Sequence, residues 1–172
     1  KDIVVKVLTF SREAGDVKLE PIELGKADVV SWGADGMIVA FGSLLGACIE
    51  ASAALAREGL EVGVINARFA KPLDRETLLR AVEQSPFVVT VEESALQTGF
   101  GSALLEAAND AGVPAVNVRR LGIPDRFIEH GERGELLDAL NLSAERIAAT
   151  CRNLAGQAGV LGESAADRRR VS

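Results

Sequence analysis

The chain of 172 residues has no tyrosine, one tryptophan, one methionine, one histidine and two cysteines, and aromatic residues make up only 4% of it. Each shortage closes off a class of function. Cys48 and Cys151 show no CxxC spacing and no Cys/His cluster, so neither a zinc site nor a disulfide framework is indicated. Both fall within helix-like patterns and read as buried thiols in a reducing compartment, which fits a cytoplasm. Positive charge is also short: 19 Lys and Arg face 25 Asp and Glu, a net charge of −6. A nucleic-acid surface needs a basic stripe to neutralise phosphates, and none is present. The one cationic run, Arg168-Arg169-Arg170, reads as part of a solvated tail. No stretch approaches the unbroken apolar length of a membrane span. No signal peptide is visible, and the opening Lys1-Asp2-Ile3 without an initiator Met implies a fragment or a processed product.

What remains is an ordinary globular balance, 48% hydrophobic and 26% charged, long enough for one domain with a sizeable core. Ile3–Thr9 is β-branched and predicts a strand; residues 11–25 lack a period and read as a connection. Short strands are predicted at Ala27–Ser31, Met37–Phe41, Val62–Asn66, Phe87–Val91 and Ala115–Val118. The turn Gly33-Ala34-Asp35-Gly36 is short enough that the strands on either side of it are expected to pair antiparallel. Helices are predicted from Leu44 to Glu58, after Asp74 up to Pro86, from Ala103 to Ala111, from Arg133 to Leu140, and from Ser143 to about Leu154. Asp74 and Ser143 are placed as N-caps, with Leu73–Leu78 and Leu142–Ile147 as hydrophobic staples. Strands alternating with helices imply right-handed crossovers. The fold class is therefore α/β: a three-layer α/β/α sandwich on a mostly parallel five-stranded sheet with one antiparallel strand. The domain is assigned to residues 24–156, with residues 1–23 as the end of a preceding domain and a linker, and residues 157–172 as a disordered tail.

Three runs carry candidate chemistry, each just after a strand-like stretch: Arg68-Phe69-Ala70-Lys71-Pro72-Leu73-Asp74; Val91-Glu92-Glu93 with Gly99-Phe100-Gly101-Ser102; and Ile123-Pro124-Asp125-Arg126-Phe127-Ile128-Glu129-His130-Gly131. Open parallel sheets place their ligands at such positions. The glycines of the second run either cradle an anion at a helix N-terminus or simply permit a tight turn, and the spacing, which matches neither the P-loop nor the dinucleotide fingerprint, favours the turn. Glu92 and Glu93 point to opposite faces of a strand, so they form no catalytic pair; one is expected to bond loop amides or an Arg, the other to meet a partner chain. Arg68 and Lys71 either grip a phosphate or carboxylate, or order their loop and face another domain. His130, with no nucleophile motif beside it, fits a local bond or an interface better than a triad or a metal site. No complete catalytic constellation emerges.

Read together, the three runs resemble the C-terminal domain of the 1-deoxy-D-xylulose-5-phosphate synthase family, within the transketolase superfamily. The first is similar to that family's "RF-x-KPLD" element and the third to its "LPDRFIEHG" element. The second is similar to "VEE…GGFGS", with Thr98 in place of the first glycine. The resemblance runs from about Leu24 to Leu154. It implies a homodimeric, cytoplasmic or plastid enzyme that uses thiamine diphosphate and Mg²⁺ to join a two-carbon unit from pyruvate to glyceraldehyde 3-phosphate. Both cofactors belong to preceding domains, so no catalytic, cofactor or metal residue is expected in this chain, which would be inactive alone. The implied partners are the other domains of its own enzyme and a second subunit, with Arg68, Lys71, Glu92, Glu93, Asp125, Arg126 and His130 as interdomain or dimer contacts. Phe10-Ser11-Arg12 stands where the family carries "YPR", which implies a substrate-phosphate contact for Arg12. The C-terminal domain of a transketolase or of a 2-oxoacid dehydrogenase E1 β-subunit is the alternative, as is a stand-alone non-catalytic binding module of the same fold.

Overall fold

The computed structural model describes residues 22–160. The strand expected at Ile3–Thr9, Arg12 and residues 161–172 lie outside them. Five strands form one sheet: β1 (Asp28–Ser31), β2 (Gly36–Phe41), β3 (Val62–Asn66), β4 (Val88–Ala95) and β5 (Val118–Ile123), in the order β1-β3-β2-β4-β5. β3, β2, β4 and β5 run parallel and β1 is antiparallel to β3. The helices are α1 (Leu45–Arg57), α2 (Arg75–Gln84), α3 (Phe100–Asp110), α4 (Arg133–Ala139) and α5 (Ala144–Gln157), with a single 3-10 turn at Gly42–Leu44 leading into α1. This is the α/β/α sandwich that the alternation of elements predicts.

β2 lies at the centre, and Met37 to Ala40 are wholly buried because both faces of the strand are covered. The two-residue period of the strand divides its side chains between two cores. Ile38 and Ala40 pack with Cys48 and Leu55 of α1 and Ile147 and Cys151 of α5. Met37 and Val39 pack with Leu78 and Val82 of α2 and Phe100 and Leu104 of α3. The Asp74 and Ser143 caps form as expected, accepting from the backbone N–H of Thr77 and Arg146 respectively. Leu142 and Ile147 are both buried in one core, while Leu73 packs beside the buried Leu78 in the other. Val160, just beyond α5, is 6% exposed and belongs to the first core.

Two expectations are corrected. β1 and β2 do not pair: both edges of β2 are taken by parallel neighbours, Gly36 opposite Val62 and Met37 opposite Val88. The turn instead docks on the start of β3, where Asp35 Oδ2 accepts from Glu61 N–H at 2.7 Å and Asp35 N–H donates to Glu61 O at 2.9 Å. There Gly33 lies against Gly63 with no room for a side chain. A Cβ at Gly33 would stand 2.5 Å from Glu61 O, and one at Gly63 would stand 2.6 Å from Ser31 O. The glycine signal marks a close crossing of backbones, not a hairpin. The last strand also lies further along than its apolar run. Ala115-Val116-Asn117 is a connection in which Val116 is 98% exposed and the Asn117 side-chain amide donates to Val82 O and Ser85 O, each at 2.9 Å. Strand pairing begins at Val118 and runs through Arg119 and Arg120, charges that an outer strand with an open edge tolerates.

Candidate functional site

The carboxyl ends of β2, β3, β4 and β5 share one edge of the sheet, and all three sequence runs open onto it. The strand order reverses at β2, with β3 on one side and β4 on the other, so the crevice between β2 and β4 is where this architecture ordinarily receives a ligand. Here that crevice is filled by the protein itself. The Phe41 and Phe100 rings stack across it with centroids 5.0 Å apart and planes 8° from parallel.

Glu92, near the end of β4, is fully buried. Its carboxylate accepts the N–H of Phe100 at 2.7 Å and of Gly101 at 2.8 Å, and also a short bond from the Ser94 hydroxyl. Those two N–H groups are first-turn donors of α3 with no partner inside the helix, and a negative charge beside them is favoured by the helix dipole. The glycines therefore do both things the sequence left open: they allow tight approach, and the anion they cradle is Glu92. A Cβ at Gly101 would stand 2.6 Å from Thr90 Oγ1, and one at Gly99 would strike the Glu92 carboxylate and Ala95 O. Arg120 of β5 braces the same loop, donating to Leu96 O at 2.6 Å and to Ser102 Oγ at 2.7 Å. Its role had no signal in the sequence, where it is one of two adjacent arginines. With its carboxylate turned inward, Glu92 offers no surface to another domain, unlike the contact role expected of it.

Glu93 points the other way and is the anchor of a second cluster. Arg133, the first residue of α4, grips it through both Nε (3.1 Å) and Nη2 (2.6 Å), and Ser43 Oγ donates to it at 2.6 Å. These bonds, from Arg133 first and Ser43 second, hold the Glu93 carboxyl below its ordinary range. Neither Ser43 nor Arg133 was legible as a partner, because each is some forty to fifty residues away in sequence. At the other end of the edge, Arg68 takes a left-handed backbone (φ 57°) and pairs with Asp28 of β1 at 2.9 Å. Asp74 accepts from Ala27 N–H at 2.9 Å and from Thr77 Oγ1 at 3.0 Å as well as capping α2. Burial opposes ionisation of Asp74, yet these donors outweigh it and set its carboxyl below the ordinary value. Lys71, Asp125, Arg126 and His130 are exposed, and the structure does not bring His130 to Glu92 or Glu93 as a reacting pair.

A diphosphate does not fit this site, because the α3 amides that would bind it already serve Glu92. Among the described residues no cluster of three or more His, Cys, Asp or Glu side chains could hold a metal ion. No helix among them is long and apolar enough to cross a membrane. The thiols offer no nucleophile: burial pushes both Cys48 and Cys151 up to about 12, the neighbouring Cys151 adding to the effect at Cys48. At pH 8 both are therefore expected to react with dithionitrobenzoate about 1,000-fold more slowly than a free thiol, and at the ordinary rate in urea. Fast labelling of the folded chain would contradict the packing of α1 on α5.

A mostly parallel sheet with one antiparallel edge strand and helices on both faces defines an α/β domain of the doubly wound kind. Residues 25–147 match the family described as transketolase, C-terminal domain, and the chain belongs to that family. Among its relatives in sequence are 1-deoxy-D-xylulose-5-phosphate synthases. That of Rhodopirellula baltica is 48% identical over 81% of this chain, and 1-deoxy-D-xylulose-5-phosphate synthase 1 of Geobacter sulfurreducens is 44% identical over 83%. The chain covers 22% and 23% of those two proteins, so it spans under a quarter of the relatives it matches. Among solved structures, a split-gene transketolase in an inactive beta4 tetramer superposes with a TM-score of 0.71 at 31% identity, covering 78% of this chain and 44% of that one. A transketolase of Pichia stipitis shares the fold, with a TM-score of 0.57 at 17% identity over 81% of this chain and 20% of that one.

Proposed function

We propose that this chain is the C-terminal domain of a cytoplasmic 1-deoxy-D-xylulose-5-phosphate synthase, and that it supports the architecture and the dimer without performing chemistry. In the whole enzyme thiamine diphosphate and Mg²⁺, held by other domains, supply the decarboxylation of pyruvate and the transfer of the two-carbon unit to glyceraldehyde 3-phosphate. The observation that carries the reading is the state of Glu92. Glu92 is a fully buried carboxylate at the edge where a ligand would sit, and it is committed to the α3 amides and the Ser94 hydroxyl. The Glu93–Arg133 and Arg68–Asp28 pairs are likewise committed to holding loops together. Arg12 is the residue through which the chain would reach substrate phosphate, and Arg68, Lys71, Glu93, Asp125, Arg126 and His130 are the residues through which it would meet a neighbouring domain or subunit.

The test is a carboligation assay with pyruvate, glyceraldehyde 3-phosphate, thiamine diphosphate and Mg²⁺. The 172-residue polypeptide alone gives no product above background, whereas the full-length enzyme that contains it forms 1-deoxy-D-xylulose 5-phosphate. Turnover by the lone chain overturns the supporting role. A full-length enzyme that makes no such product overturns the synthase assignment.

A further inference from the structure

Resting on that reading and extending it, we infer that Phe127 is the anchor by which the polypeptide upstream of Ile22 packs onto the carboxyl edge of the sheet, with the recess beside it as the seat for an apolar side chain of that polypeptide. Phe127 is 91% exposed, the most solvent-exposed aromatic side chain among the described residues. It stands between polar neighbours, Asp125 and Arg126 before it and Glu129 and His130 after the half-buried Ile128. A phenyl ring in water with polar groups around it has the composition of an interface hot spot with a polar rim. Its chain neighbour Ile128, with Ile123, Leu136, Leu137, Leu140 and Leu142, lines a recess of about 300 Å³, with the Glu93–Arg133 pair at its margin. Helix α4, which forms one wall, has no fully buried residue of its own. Its leucines are left half covered. A knob and a hole adjoin on one surface.

The path of the chain selects the occupant. Because β1 is antiparallel, its first residue, Asp28, lies opposite Asn66, the last residue of β3. Residues 22–27 therefore enter the domain at the same edge as Phe127, where Gly25 lies against Pro72 and Ala27 N–H is held by Asp74. From β1 to β5 the sheet is about 19 Å across. The 21 residues that precede Ile22 reach about 70 Å when extended, so both they and whatever domain they join can cover that distance. The relatives carry more than three quarters of their length outside the region matched here. Covalent attachment at this edge gives the upstream polypeptide a high effective concentration there, well ahead of a second copy arriving by diffusion.

Two measurements on the full-length enzyme decide it. Amide exchange over residues 123–131 is expected to be at least about tenfold slower in the full-length enzyme than in the 172-residue chain, and Phe127→Ser is expected to remove that protection. Equal exchange in the two proteins overturns the inference. A photo-reactive benzoylphenylalanine at position 127 should form cross-links to residues upstream of Ile22 in the same polypeptide. Cross-links solely to residues 22–160 of a second subunit, or none, overturn it in favour of a dimer contact or a bare surface. Product formation by the wild-type enzyme, measured alongside, separates the two claims. An active synthase without the cross-link loses only this contact, while the cross-link in an enzyme that makes no 1-deoxy-D-xylulose 5-phosphate loses only the synthase assignment.

Discussion

Replacing Glu92 with alanine is expected to destabilise the domain by about 3–5 kcal/mol, enough to lower its melting temperature by about 10 °C or more. The magnitude follows from what is left behind. The N–H groups of Phe100 and Gly101 and the Ser94 hydroxyl all donate to this carboxylate, and it is wholly enclosed. Truncation strands two helix N-terminal donors where water reaches them poorly, at about 1–3 kcal/mol each, and forfeits a charge-assisted bond. Glu92→Gln separates charge from shape. One amide oxygen still accepts, but the NH₂ group faces an N–H donor, so roughly half the loss is expected. Thermal unfolding followed by circular dichroism measures both variants. A midpoint for Glu92→Ala within a degree or two of wild type would mean that α3 is capped by something else.

The second large effect lies at the crossing of Gly33 and Gly63. Alanine at either position drives a methyl carbon into backbone: at Gly33 onto Glu61 O, Gly36 O and Gly63 N, and at Gly63 onto Ser31 O, Gly33 N and the Met37 sulfur. Backbone atoms held in a sheet cannot swing aside as a flexible side chain does, so the cost is expected to be about 3 kcal/mol or more, or failure to fold. Gly46 is the internal control. It sits exposed in α1 with nothing within 4 Å of a built Cβ, and alanine there is expected to stabilise by about 0.5–1 kcal/mol through helix propensity. If Gly33→Ala and Gly46→Ala behaved alike, the close packing of the 32–35 turn on β3 would be wrong.

How much of this was readable in advance differs by the range of the interaction. Caps and staples were legible because Asp74 with Thr77 and Ser143 with Arg146 lie within one helical turn. The inner strands were legible because burial on both faces demands a continuous apolar run such as Met37–Phe41. The pairing of β1 was not, since a short turn beside two apolar runs describes a hairpin as well as it describes a crossing. What decided it was that both edges of β2 were already taken. β5 misled for the opposite reason. Ala115-Val116-Asn117 carries the apolar signal, while Arg119 and Arg120 carry the strand, as an outer position permits. At the candidate site, sequence order alone showed that Glu92 and Glu93 face apart. It could not name their partners, because Arg133, Ser43 and the α3 amides come together only once the sheet has formed.

The layer formed by α1 and α5 sets the order in which the protein can mature. Cys48, Ala51 and Leu55 are synthesised well before the surface that covers them, from Ile147 to Val160. During synthesis α1 therefore waits on the ribosome with its apolar stripe uncovered, and a chain halted near residue 140 is left with an open, adhesive flank. Truncated products of this polypeptide should be recognised by holding chaperones or precipitate, however well the sheet itself has paired.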